Sequence, residues 1–207
     1  EADIARDLAG IKPMDRILCG DVGFGKTEVA LRTMVAAAKS GYQSALIAPT
    51  TILAHQHFQN FKERLKDLPI KIALLSRLQS KKEQKNIVEN LKRGDVDILV
   101  GTHRILSKDA EFNKLGLLVI DDEQRFGVKQ KEKLKKMRES LDILSLSATP
   151  IPRTLYLALS SMKNISLIQT PPLSRKPIKT SILPWSEKTI KTAVKKEIER
   201  GGQIYYL

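Results

Sequence analysis

The run Gly20-Asp21-Val22-Gly23-Phe24-Gly25-Lys26-Thr27 follows directly on the apolar stretch Ile17-Leu18-Cys19 and fits the pattern G-x-x-x-x-G-K-[ST]. That spacing dictates a strand, a tight loop and a helix in immediate succession, and it predicts a helix from Lys26 to about Lys39. Backbone N–H groups in such a loop converge on one concavity. The helix N-terminus adds partial positive charge, and the glycines let the chain approach oxygen atoms closely. The result is a cradle for a polyphosphate, lined by Gly20 to Glu28. Lys26 is placed to reach the β- and γ-phosphates of ATP, and the Thr27 hydroxyl to ligate Mg²⁺. The alternative reading is a chance glycine-rich turn, against which the eight constrained positions, the strand before them and the helix after them all count.

The rest of the chain supplies the framework such a loop needs. Segments rich in Ile, Leu and Val predict strands at 16–20, 44–48, 71–75, 97–100, 117–121 and 142–147. Helical patterns fall near 26–39, 52–66, 80–92, 129–138 and 151–159. Strands separated by helical stretches of 10–15 residues indicate βαβ units, hence an α/β fold with a mostly parallel central sheet and helices on both faces. In the helix beginning near Thr51, Ile52, Leu53, Phe58, Phe61 and Leu65 read as a core stripe. Both ends read as cut. The chain opens inside helical sequence, Glu1 to Leu8, and after Pro171-Pro172 comes a linker-like stretch. An extended segment is expected at 178–183, a helix at 187–199 and a strand at 203–207. We therefore expect one domain to about residue 170, with 171–207 as a linker and the opening of a second.

Composition narrows the class. With 207 residues and 42% hydrophobic content, the chain can bury a substantial core. No apolar run approaches the ~20 residues of a membrane span, so no membrane association is expected. The single cysteine, Cys19, has no intrachain partner, which agrees with a reducing compartment, the cytoplasm. A formal charge of +13 favours a polyanion, because lysines and arginines gain by releasing phosphate counterions. Runs such as Lys129 to Lys136 and Lys188 to Lys196 also read as solvated helix faces.

Two further sites fall at predicted strand ends. Leu117-Leu118-Val119-Ile120 runs into Asp121-Asp122-Glu123-Gln124, placing carboxylates at the mouth of a parallel sheet. Asp121 is suited to holding Mg²⁺, and Asp122 to orienting the attacking water. Taken alone, an acidic group after a strand is equally a solvated turn. Ser147-Ala148-Thr149, followed by Pro150, closes the next strand, where small hydroxyl groups can bond the acidic group and sense the γ-phosphate. Elsewhere, the same residues would be a plain Ser/Thr-Pro turn.

Together with Ala48-Pro49-Thr50 and Gly101-Thr102-His103, these motifs resemble those of superfamily 2 helicase-like motors. The longer strings GDVGFGKTEVALR, APTTILAHQHFQNF, VGTHRILSKD and ILSLSATPIPRTLYLALSSMKNISLIQTPP are similar to the bacterial transcription-repair coupling factor family, known as Mfd. RecG is the near relative and more often carries Ser where Phe24 stands. The resemblance covers essentially the whole chain. It implies the first of two RecA-like P-loop NTPase domains of an ATP-driven translocase on double-stranded DNA, bacterial and nucleoid-associated. It also implies RNA polymerase and the nucleotide-excision repair protein UvrA as partners. By the same resemblance Gly23, Gly25, Lys26 and Thr27 bind nucleotide and Mg²⁺, and Asp121 and the residue at 122 serve metal and water. Gln124, Ser147, Ala148 and Thr149 couple nucleotide state to DNA grip, while Thr50, Arg77, Thr102, His103 and Arg104 face the DNA backbone. Arg125-Phe126-Gly127 and Pro152-Arg153 are further family signatures.

One position departs. The family box has Glu second, where this chain has Asp122. The shorter side chain draws the carboxylate back by about 1.5 Å, and a misplacement near 1 Å costs on the order of a hundredfold in rate. Near-normal nucleotide binding with slowed hydrolysis is expected. Bland readings stand beside the functional ones: Thr50 as a helix cap, and His103 as a satisfied interior histidine. His55 and His57, two apart, diverge on a helix and form no metal pair. Two other readings remain open, a RecG-like fork-remodelling motor and a nucleotide-dependent binding module with little activity of its own.

Overall fold

The glycine-rich loop lies at the edge of a seven-stranded sheet in the computed structural model, which describes residues 1–122, 126–148, 164–172 and 180–207. Backbone contacts divide the chain into two units, Glu1–Leu173 and Ser174–Leu207.

In the first unit the strands are β1 (Asp15–Gly20), β2 (Gln43–Ile47), β3 (Ile72–Leu75), β4 (Ile98–Gly101), β5 (Leu115–Asp121), β6 (Asp142–Ser147) and β7 (Asn164–Ile168). They lie in the order β3-β4-β2-β5-β6-β1-β7, and every pairing is parallel. Between them run α1 (Ala2–Leu8), α2 (Lys26–Lys39), α3 (Thr51–Arg64), α4 (Lys81–Arg93) and α5 (Val128–Met137), with a 3₁₀ turn at His103–Leu106. The second unit contains α6 (Glu187–Glu199).

Parallel strands leave both faces to be covered, and the side-chain period of two divides each strand between two cores. Leu117 and Val119 of β5 join Leu46, Ile98 and Leu144 against α1, α2 and α3, where Ile4, Met34 and Phe61 are buried. Leu118 and Ile120 face the other way, with Ile47, Leu99 and Ile143, against Leu91 of α4, Leu134 of α5 and Ile105 of the 3₁₀ turn. Helices thus cover both faces, as the strand–helix alternation predicts.

Local signals place the helix ends. Ser80 and Glu83 form a reciprocal capping box at the start of α4. The Thr50 hydroxyl accepts from the Leu53 N–H at 3.2 Å and caps α3. Buried Gln43 ties three segments together. Its amide donates to the carbonyls of Leu91 (3.0 Å) and Val96 (2.8 Å), and its oxygen accepts from the N–H groups of Asn113 (2.7 Å) and Lys114 (3.0 Å). Arg16, on β1, bonds Asp7 of α1 (2.7 Å) and Ser166 of β7 (2.8 Å), locking the first helix to the sheet edge.

Three expectations change. Strand β7 is additional: its short Asn164-Ile-Ser-Leu-Ile run carries a weak pattern and is held as an edge strand by register with β1. The strand expected at 203–207 does not form, because a strand needs a neighbour to pair with and these residues have none among the described residues. Ile52, assigned to the core stripe, is 69% exposed on the first turn of α3, whereas Phe61 and Leu65 are buried as expected. The helix at 151–159, and residues 178–179 of the extended segment, lie outside the described residues. Residues 180–183 are irregular.

Candidate active site

Strands β5, β6 and β1 lie side by side, so the ends of all three open at one edge of the sheet. Register places Asp121 opposite Leu146, and Ser147 opposite Cys19, one residue before the loop. The phosphate loop therefore shares the carboxyl end of a parallel sheet, where such folds bind their ligands, with the acidic pair and Ser147, which lie more than 90 residues further along the sequence.

The loop has the shape of a cradle. Gly23 and Gly25 adopt φ of +79° and +89°, a region costly for any residue with a Cβ, and Gly25 is the N-cap of α2. Phe24 N–H donates to the Asp21 carbonyl at 3.2 Å and Val22 N–H to the Asp21 carboxylate at 2.7 Å, which close the turn. No bond among the described residues takes up the N–H groups of Gly23, Gly25, Lys26 or Thr27. Lys26 Nζ donates to the carbonyls of Gly20 (2.7 Å) and Asp21 (2.9 Å), so the ammonium spans the loop. Burial pulls its pKa down, and the carboxylates of Asp121, Asp21 and Asp122 oppose that shift. Those charges are near enough to be felt, which ties the loop lysine to the acidic pair. Glu28 points its carboxylate at Arg32 (3.0 Å) and Arg64 (2.6 Å), so its side chain is held in salt bridges with α2 and α3.

Asp121 ends β5, and its Oδ2 accepts from His57 Nε2 of α3 at 2.8 Å. His57 carries no functional signal in the sequence, because the two residues are 64 positions apart and only the order of the sheet brings α3 over β5. Asp122 follows with φ of +52°, a left-handed conformation that aspartate tolerates better than most side chains. Its N–H donates to the Leu146 carbonyl at 3.2 Å. The donor set suits Mg²⁺, which takes one or two protein oxygens and keeps several waters. A carboxylate at 121, a hydroxyl at 27 and free backbone donors for phosphate are of that kind. No group of three or more His, Cys, Asp or Glu residues able to hold a metal occurs among the described residues. Ser147 and Ala148 are described. Gln124 and Thr149 lie outside the described residues, as do Glu123, Arg125, Pro152 and Arg153.

The residues expected to face DNA separate into two groups. Arg77, after β3, donates from Nη2 to His103 Nε2 at 2.8 Å, so the imidazole is neutral at that nitrogen. Burial, and the Arg77 charge beside it, push the His103 pKa below its ordinary value. Both line a hollow of about 340 Å³ together with Gln130 and Lys133 of α5. The other three are engaged within the fold. Thr50 caps α3, Thr102 is 2% exposed, and Arg104 makes a fork with Asp109 (2.8 and 2.6 Å) and bonds Gln84 and Ser107. A larger hollow of about 650 Å³ opens at the opposite edge of the sheet, beside Pro13, Tyr42 and Asp142, far from the phosphate loop.

A sequence model for the DEAD/DEAH box helicase family matches residues 5–157. This chain belongs to that family. It is 50% identical over 205 residues to the transcription-repair-coupling factor of Bacillus subtilis, covering 99% of this chain and 17% of that protein. With the factor from Haemophilus influenzae it shares 52% over 204 residues, 99% of this chain and 18% of that one. Among solved structures, RecG bound to a three-way DNA junction matches with a TM-score of 0.83 and 35% identity, over 98% of this chain and 27% of that chain. The chain thus spans less than a fifth of the length of these coupling factors. Membership of a helicase family implies use of ATP and Mg²⁺. Among the described residues, no helix is long and apolar enough to cross a membrane.

Proposed function

We propose that this chain is the first RecA-like domain of an ATP-driven motor that translocates on double-stranded DNA and acts in transcription-coupled repair. Residues 1–170 form that domain, and 171–207 open the second. The observation that most supports this reading is the meeting of phosphate loop, acidic pair and Ser147 at one sheet edge. The coupling-factor likeness along 99% of the chain adds the biological setting.

In this reading the free N–H groups of Gly23, Gly25, Lys26 and Thr27 hold the phosphates of ATP. Lys26 exchanges the carbonyls of Gly20 and Asp21 for phosphate oxygens, so the loop is relieved of its internal bridge only when nucleotide enters. Thr27 and Asp121 hold Mg²⁺, which offsets charge on the β- and γ-phosphates. Asp122 orients the attacking water, and its short reach slows that step. Ser147, Ala148 and Thr149, with Gln124, relay nucleotide state to the DNA face. On that face Arg77 and His103 contact phosphates without reading bases, as Lys and Arg contacts to the backbone do. Arg104 and Thr102 support the loop that presents them. RNA polymerase and UvrA are the partners of the whole protein, which works on the bacterial nucleoid in the cytoplasm.

The RecG match supports a second reading, a motor that remodels branched DNA. The two part on substrate. The full-length protein should release a polymerase stalled on duplex DNA in an ATP-dependent manner. Regression of a model fork without polymerase release would favour the second reading. The 207-residue chain alone should bind nucleotide yet hydrolyse it slowly, since the partner domain's share of the site is not in it. Strong DNA-stimulated turnover by this chain would refute that.

A further inference from the structure

Asp121 closes β5 and is followed at once by a left-handed residue, Asp122. Nothing in β5 itself fixes the carboxylate's rotation. The group that does so comes from another element. His57 Nε2 lies 2.8 Å from Asp121 Oδ2, and the two side chains are 13% and 21% exposed. An ionised carboxylate only accepts, so the imidazole donates. The imidazole is itself backed by Phe61, one turn further along α3, with ring centroids 6.1 Å apart. Phe61 is fully buried, which restricts the rotamers open to His57.

We propose that His57 is a positioning residue for Mg²⁺ binding: its N–H pins one oxygen of Asp121 and sets the carboxylate's orientation toward the metal. The inference rests on the reading of Asp121 as a metal ligand. Magnesium demands near-octahedral geometry and dehydrates reluctantly, so a carboxylate free to rotate binds it poorly. A hydrogen bond to the ligand's second oxygen removes that freedom, and loss of such outer partners typically costs 10–100-fold in metal affinity or activity. It leaves the other oxygen, and the remaining lone pair of Oδ2, for a metal or its water. The arrangement also makes α3, whose first turn sits at the open sheet edge, part of the metal site.

The test uses fluorescent mant-ADP and titrated Mg²⁺ on the full chain, with His57→Leu, which removes the donor, and His57→Gln, which restores an N–H at similar reach. We expect mant-ADP affinity in excess EDTA to stay within about twofold for all three proteins. The Mg²⁺ concentration for half-maximal tightening should rise about 10–100-fold in His57→Leu and return most of the way in His57→Gln. Thermal midpoints without nucleotide separate loss of packing from loss of the bond. An unchanged or lower Mg²⁺ midpoint in His57→Leu would overturn the inference, as would equal behaviour of the Leu and Gln variants. Failure of the unsubstituted chain to bind mant-ADP at all would overturn the phosphate-site reading as well.

Discussion

Asp122 carries two opposed constraints. Its φ of +52° suits aspartate, whose short polar side chain bonds locally in the left-handed region, while the task of orienting a water favours the longer glutamate. Asp122→Glu should raise turnover in the intact protein by at least about tenfold, with nucleotide affinity within about twofold. A loss of at most about 1–2 kcal/mol in stability is the conformational cost. Equal rates in steady-state ATPase measurements would sink the assignment of this residue to the water. Asp142 is the counterpart at the other edge of the sheet. Burial raises its pKa, while the Met14 N–H, 2.6 Å away, favours the charged form and Asp7 disfavours it. A carboxyl whose folded pKa is raised weakens the fold as pH climbs from the unfolded value through the folded one. Asp142→Asn keeps an acceptor for Met14 and sheds a half-buried charge, so it should raise the thermal midpoint at pH 7 and leave it unchanged at pH 3.

At the level of elements, the sheet is held by side chains that satisfy backbone groups where strands and helices end. Gln43 completes four such bonds between β2, the end of α4 and the approach to β5. Gln43→Leu leaves them unmet in the interior and should cost at least about 3 kcal/mol in urea unfolding, since each unsatisfied group costs about 1–3 kcal/mol. Ser80→Ala, which breaks an exposed capping box, should cost only about 1 kcal/mol. A comparable loss at both positions would show that the Gln43 bonds are replaced by water. Elements with strong local signals are legible before folding: α2 begins and ends where the glycine-rich loop and the run to Lys39 place it. Strand β7 is not, because five residues of ordinary composition gain strand character only from β1 beside them. The strand predicted at 203–207 has the right composition and lacks the neighbour.

For the molecule as a whole, a charge of +13 and the Arg77–His103 hollow predict binding to duplex DNA that is weak in specificity and strong in salt dependence. Affinity for duplexes of unrelated sequence should agree within a few-fold and drop at least about tenfold from 50 to 200 mM salt. Arg77→Ala should lower it for every sequence and reduce the salt slope by about 1, whereas Arg104→Ala should act mainly through stability. Sequence-selective binding by filter or fluorescence titration would contradict both. The phosphate loop, its lysine and the acidic pair could be named from the chain alone because each is a contiguous run whose spacing carries its own geometry. Contacts between distant segments have no such local trace. The His57–Asp121 bond arises when β5 inserts between β2 and β6 and α3 packs across the sheet, and the Glu28–Arg64 bridge when α2 and α3 come side by side. Local spacing encodes the cradle; the order of strands decides which side chains from elsewhere complete it.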